Sequence, residues 1–146
     1  MKDHNIVFKV VARFITPFIL IYGLYVQLHG EYSPGGGFQA GVIFAAAFIL
    51  FCLNEGMEKT LKIVSVEDMR IAACIGTLMF VGTGFYTIMA GGNYLDYYAI
   101  AESKHTAQQI GIIVVELGVG ITVFAAMMLI FILFAKRKKT EDKNIL

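Results

Sequence analysis

The chain has 146 residues, of which 58% are hydrophobic and only 16% are charged, and its formal net charge is +1. Soluble domains contain roughly 45–50% apolar and about 25% charged residues, so this composition, with a mean hydropathy of +0.71, excludes an ordinary soluble domain. A charge so close to zero, without a basic face, gives no sign of nucleic-acid binding.

Four apolar stretches follow one another along the chain, and each is close to the roughly 20 residues that a helix needs to cross a bilayer. They lie at about residues 10–28, 35–53, 71–90 and 110–135. Residues 43–51 and 123–134 lack the polar face that a surface helix of a soluble bundle shows. The sequence therefore predicts an all-α membrane bundle of four transmembrane helices, folded as one domain over residues 1–146.

The basic residues indicate how this bundle is oriented. All of the chain's 12 Lys and Arg residues except Lys104 lie near the N-terminus, in the second connection up to Arg70, or in the tail at 136–146. Four crossings place these three segments on the same side, and cytoplasmic loops carry the excess of Lys and Arg. Both termini and the loop at 54–69 are therefore predicted to be cytoplasmic.

The polar segment at 54–69 also contains a possible helix start. Ser65 is followed three residues later by Asp68, which is the spacing of a helix N-cap and its partner. We interpret the whole segment as a solvated loop that leads into the third helix.

The turn between the first two helices contains the run Ser33-Pro34-Gly35-Gly36-Gly37-Phe38-Gln39. It lacks the Gly-Lys-Ser/Thr ending of a phosphate-binding loop and follows an apolar helix instead of a strand, so phosphate binding is not expected. Pro34 fixes the backbone at a helix end or first turn, and the glycines allow close approach. Gly37 and Gly41 form a GxxxG pair that predicts a helix-packing face. Two interpretations remain open, a tight turn with a packing face or a backbone that lines an ion or water cavity.

No metal site is predicted from this turn or from the cysteines. His29 and Glu31 are two residues apart in a loop with no third ligand nearby, and Cys52 and Cys74 have no metal-binding spacing. Imidazole exchanges protons near neutral pH. His29 is therefore either a simple hydrogen-bonding residue or a proton relay at the mouth of a path.

Glu116 is the strongest candidate for chemistry, because it is the only carboxylate clearly inside a predicted span. Placing a charge inside a span costs about 3 kcal/mol on insertion scales, so such a residue is a functional candidate by default. At 100° per residue, His105, Gln109 and Glu116 share one helix face. This stripe predicts an ion path from the outer surface. The alternative is a protonated Glu116 that only hydrogen-bonds a neighbouring helix.

Two motifs resemble those of the MnhB/MrpB subunit family of multisubunit cation/proton antiporters. They are the turn pattern His29-Gly30, Ser33-Pro34-Gly35-Gly36-Gly37-Phe38-Gln39 and Gly41, and the helix pattern Glu116-Leu117-Gly118-Val119-Gly120-Ile121-Thr122-Val123. The likeness extends over nearly the whole chain, including its length, its four spans and its loop sizes.

The resemblance implies a small, non-enzymatic subunit of a large complex that exchanges Na⁺ for H⁺ across the cytoplasmic membrane of a prokaryote. It also implies partner subunits similar to the proton-pumping subunits of respiratory complex I, and no cofactor. Glu116 and the turn from His29 to Gly41 would be the residues to test. The alternative is a purely structural subunit of a related hydrogenase-type or complex I-like assembly. An enzyme or its anchor is disfavoured, because we find no nucleophile–base pair, haem ligand pair or cofactor loop.

Overall fold

The computed structural model describes residues 3–30, 34–100 and 103–144 of the chain. In these ranges the backbone forms five α-helices and one short 3-10 helix at Tyr97–Ala99, and it contains no strand. The α-helices are α1 (Asp3–Leu28), α2 (Gly37–Glu55), α3 (Met57–Ile63), α4 (Val66–Met89) and α5 (Lys104–Asn144).

Four of these helices are long and apolar enough to cross a membrane, and the membrane-length parts lie at Ile6–Leu28, Gly37–Glu55, Val66–Met89 and His105–Arg137. The predicted fold class, an all-α bundle with four potential spans, is confirmed. The helices themselves run further than the apolar stretches, most clearly where α5 continues through the basic tail. Lys, Arg and Glu are good helix formers, so the helix continues where the apolar pattern stops.

The connection at 54–69 is more ordered than a solvated loop. It contains α3, which exposes Glu58, Lys59 and Lys62 on one side. Met57 and Leu61 on its other side pack against a core cluster that includes the residue after the helix, Val64. The prediction of a solvated loop is therefore wrong for this half of the segment, because charges at three of the seven positions of α3 hid an apolar face.

The possible helix start at Ser65, which we set aside for a solvated loop, is the one that forms: α4 begins at Val66, five residues before the predicted residue 71. The backbone N–H of Asp68 donates to Ser65 Oγ at 3.1 Å, and the Ser65 N–H donates to Asp68 Oδ2 at 3.3 Å. This reciprocal pair is a capping box, which satisfies donors that have no partner inside the helix.

Replacing Ser65 with alanine is expected to weaken the start of α4 by about 1 kcal/mol, the usual cost of losing an N-cap side chain. Amide hydrogen exchange should become faster at Asp68, whose N–H loses its acceptor. Thr77→Ala is the matched control, because the Thr77 hydroxyl donates only to Ala73 O of its own helix. Unchanged exchange at Asp68 would show that the cap contributes nothing.

The helices pack in a fixed order, with α5 between α4 and α2 and with α1 against α2. Glycines allow α4 and α5 to approach closely, since a Cβ on Gly118 would lie only 2.8 Å from the carbonyl oxygen of Gly76. Further along α5 toward its C-terminus, the core is formed by apolar residues of α2, α5 and the α3–α4 segment, namely Ala45, Val64, Met69, Ala125, Met128 and Ile132. The central position of α5 brings Glu116 next to the connection between α1 and α2.

The opposite end of the bundle is held together by ion pairs. Arg13 on α1 pairs with Glu55 at the end of α2, and Lys59 Nζ on α3 lies 2.6 Å from the same carboxylate. These contacts join three helices at the end where the basic residues collect.

Candidate functional site

The carboxyl group of Glu116 lies between the end of α1 and the start of α2. A Cβ on Gly30 would lie 2.6 Å from Glu116 Cδ, and a Cβ on Gly36 would lie 2.5 Å from Oε1. Real Cβ atoms essentially never approach so closely. The carboxyl group therefore fills space that exists only because both positions are glycine.

The requirement at Gly36 comes from this space and not from the backbone. Its φ of −169° is extended backbone that any residue adopts. The turn is instead closed by Gln39, whose Oε1 accepts the Gly36 N–H at 3.2 Å. Glycine has no side chain to cap α2, and Gln39 satisfies only the N–H of Gly36 itself, while the carboxyl group of Glu116 lies where a side chain at position 36 would be.

Gly37 brings the backbones of α2 and α5 together. A Cβ on Gly37 would lie 3.0 Å from Glu116 Cα and 2.7 Å from its carbonyl carbon. Gly30, Gly36 and Gly37 thus surround Glu116 on one side, and we call these three residues the glycine cradle. One turn further along α2, a Cβ on Gly41 would lie 2.6 Å from Gly120 O.

The other two residues of the predicted turn lie outside the helices. Pro34 is exposed and Gly35 is half-buried, and both precede the first residue of α2, Gly37. Pro34 therefore does not occupy the first turn of α2. Ser33 and Glu31, also quoted in the sequence motif, lie outside the described residues.

His29 lies next to the cradle in the chain but has its own local contacts. Its Nδ1 is 3.0 Å from Tyr25 O, and its ring stacks on the Tyr25 ring with 4.2 Å between centroids. The side chain is exposed. His29 is thus placed at the surface, one residue before Gly30 of the cradle.

His105 and Gln109 lie on α5 on the N-terminal side of Glu116. At 1.5 Å per residue they are about 16 Å and about 10 Å from it along the helix axis. His105 is exposed and Gln109 is half-buried. Glu116 is half-buried like Gln109, so the three residues follow one another along α5, while the described surroundings of the carboxyl group come from the cradle.

Gln27 is a polar residue of this region that the sequence interpretation missed. It lies three residues before Gly30 and is only 9% exposed. Its Oε1 lies 2.6 Å from the position of a Cβ on Gly120, and Gly37 O lies 3.2 Å from the same point. The sequence contains a pattern that could have identified it, since Gln27 interrupts an apolar helix one turn before the glycine turn. An uncharged amide was not selected as a candidate, because the search was for ionisable residues.

The site is a half-buried carboxyl group with the glycine cradle on one side and one amide a helix turn away. Within the described ranges, no three His, Cys, Asp or Glu side chains come together as metal ligands. Such a site can take up a proton or bind a monovalent cation through oxygen atoms, since carbonyl and carboxylate oxygens suit hard cations.

Comparison with known proteins identifies the family. Residues 7–129 match a domain described as related to the MnhB subunit of Na⁺/H⁺ antiporters. The chain belongs to the MnhB family. Proteins of Staphylococcus aureus strains Newman, COL and USA300 that carry the provisional name antiporter subunit mnhB2 are 31% identical over 137 residues, which cover 87% of this chain and 96% of theirs.

Membership in the MnhB family confirms the resemblance drawn from the turn and the acidic helix. It makes the chain an antiporter subunit and not an enzyme, and it implies that other subunits of a complex are its partners. Together with four apolar helices, it indicates a multi-pass protein of a bacterial membrane.

Proposed function

We propose that this MnhB-family chain helps to assemble a multisubunit Na⁺/H⁺ antiporter and contributes Glu116 to its ion pathway. The observation that carries the proposal is the close fit of the Glu116 carboxyl group against the glycine cradle. A carboxyl group within a membrane span is costly. A residue that only fills space between helices needs no carboxyl group, so its presence at this position indicates a function. Its location beside irregular backbone supports a role in transport, because such backbone occurs at membrane depth only inside protein or along a cavity.

The outer part of the path would follow α5. His105 and Gln109 precede Glu116 on this helix, and His29 lies one residue from the cradle. We propose that these three polar side chains provide access from the outer surface to the carboxyl group. A histidine at the entrance suits this role, because it gains and loses protons near neutral pH.

The proposal also includes the orientation of the chain in the membrane and its partner subunits. The basic ends of the helices would face the cytoplasm, with both termini there, and the membrane would be the cytoplasmic membrane of a prokaryote. The partners would include large complex I-like subunits. Much of α1 is available to them or to lipid, since its large apolar side chains, such as Phe14 and Phe18, are mostly exposed.

A purely structural subunit is the alternative, but the packing of the glycines weakens it. Gly37 and Gly41 are buried against α5, and Gly76 and Gly118 are buried against each other. These small faces are therefore used within the chain and are not available to join other subunits. A hydrogenase-type assembly is also not favoured, since the matched family is described for antiporters.

The decisive test replaces Glu116 with Gln and with Ala in the complete complex. Na⁺-dependent changes in ΔpH in everted vesicles should fall by roughly 100-fold, in the range found when a proton-transferring group is lost. Glu67→Gln is the matched control, because Glu67 is an exposed carboxylate on α4. Normal antiport by an assembled Glu116→Gln complex would rule out the relay, and loss of assembly in both variants would support the structural alternative.

A further inference from the structure

We propose that Gln27 is a second binding position of the ion pathway, where its amide oxygen binds a partly dehydrated monovalent cation on the cytoplasmic side of Glu116. This inference rests on the proposed function of Glu116 and extends it. It assigns a binding role to a residue of α1, in a cleft that α1 forms with α2 and α5.

The first observation is the state of the Gln27 side chain. It is only 9% exposed, although it lies in a helix that could span a membrane. Among the residues that the structure describes, no hydrogen-bond partner of its amide is found. In the described ranges, the buried side-chain polar atom without a partner is Asn54 Oδ1 and not an atom of Gln27. The Gln27 amide is therefore not sealed off, and it borders a cleft through which a ligand can reach it.

The second observation is the space in front of this amide. Gln27 lines a cleft of about 370 Å³, whose other walls include Phe44, Phe48 and Gly120. One water molecule takes up about 30 Å³, so the cleft has room for an ion with some of its water. Its walls are mainly apolar, and a low dielectric strengthens the attraction between an ion and the few oxygens that face it.

The third observation is that the oxygens near Gln27 continue from the Glu116 site. Gly120 lies one turn beyond Glu116 on α5, toward the basic end of the helix. Gln27 Oε1 and Gly37 O both lie within 3.2 Å of the Cβ position of Gly120. Because Gly120 has no side chain, both oxygens can lie beside it, one helix turn after Glu116.

The chemistry of an amide decides what this position binds. A glutamine side chain does not take up a proton at physiological pH, so it cannot relay one by titration. Its oxygen can replace water around a cation, as backbone carbonyls do in transporter sites. Gln27 should therefore affect how tightly the cation binds and leave the pH dependence of antiport unchanged.

The test measures antiport in everted vesicles that contain the complete complex with Gln27→Leu, a change that removes the amide and keeps the size. The Na⁺ concentration for half-maximal antiport should rise at least about tenfold, since a hydrogen bond or contact with a charged group is worth 1.5–3 kcal/mol or so. The pH profile should not move. Gln108→Leu is the matched control, because Gln108 is an exposed glutamine on α5.

Each outcome decides the matter. The inference would be overturned if the assembled Gln27→Leu complex kept the wild-type Na⁺ requirement. It would also be overturned if the pH profile of antiport shifted together with the Na⁺ requirement. If Gln27→Leu does not assemble, Gln27→Asn keeps the amide and withdraws its oxygen, and an unchanged Na⁺ requirement would overturn it instead. If Glu116→Gln abolishes antiport and Gln27→Leu has wild-type antiport, only the binding role of Gln27 is rejected. If Glu116→Gln has normal antiport, the proposed function of Glu116 is rejected as well.

Discussion

Replacing Gly37 with alanine is expected to push α2 away from α5 and to destabilise the subunit by about 1–3 kcal/mol, the usual cost of overpacking. The added methyl group would lie 2.7 Å from the Glu116 carbonyl carbon and 3.0 Å from its Cα. These are backbone atoms of a central helix, so no side-chain rotation can relieve the contact. The helices must separate, and their separation also removes the close contact between Gly41 and Gly120.

Thermal unfolding of the purified complex, or the amount of complex that assembles, measures this effect. Gly82→Ala is the matched control, because a Cβ on Gly82 meets no atom within 4 Å. Alanine favours a helix over glycine by about 1 kcal/mol, so this control should be neutral or slightly stabilising. Equal stability of the two variants would contradict the close packing of α2 on α5.

Replacing Gly36 with alanine is expected to impair antiport strongly while leaving the subunit folded. Its backbone conformation accepts any residue, and the new methyl group would lie 2.5 Å from Glu116 Oε1. The end of a flexible side chain can move away, so the carboxyl group is displaced and the helices are not. A misplacement of about 1 Å in a reacting group can cost roughly 100-fold in rate.

The measurement is Na⁺-dependent ΔpH in everted vesicles, with the amount of assembled complex determined in the same membranes. Gly30→Ala should have a similar effect, because a Cβ there would lie 2.6 Å from Glu116 Cδ. Gly82→Ala again serves as the control. Wild-type antiport in both Gly30→Ala and Gly36→Ala would show that the position of the carboxyl group does not matter.

Much of the fold follows from local patterns in the sequence. The four spans follow from apolar stretches of membrane length, whereas the capping residues Ser65 and Asp68 were noticed but not preferred as the start of α4. The helical segments that were not predicted lie in polar parts of the chain, outside the apolar stretches. Hydropathy identifies the part of a helix in lipid and not its full length, so the continuation of α5 through the tail and the short helix α3 were not predicted.

The candidate site shows the same limit at the level of contacts. Sequence reasoning selected Glu116 and the glycine turn separately, because each stands out from its own surroundings. It linked Glu116 to His105 and Gln109, since helical periodicity relates only residues of one helix. The contact of Glu116 with Gly30 and Gly36 depends on which helices pack together, and this is decided by small residues far apart in the chain, such as Gly41 and Gly120.

The most direct test of the account is a double-mutant cycle between Gly36→Ala and Glu116→Asp, with antiport per assembled complex as the measured quantity. Aspartate keeps the carboxyl group but is one methylene shorter, so it leaves room for the methyl group of Ala at position 36. If the glycine cradle exists to place this carboxyl group, the double variant should be more active than Gly36→Ala alone, because residues in contact are energetically coupled. Losses that simply add, as they do for distant sites, would contradict the account.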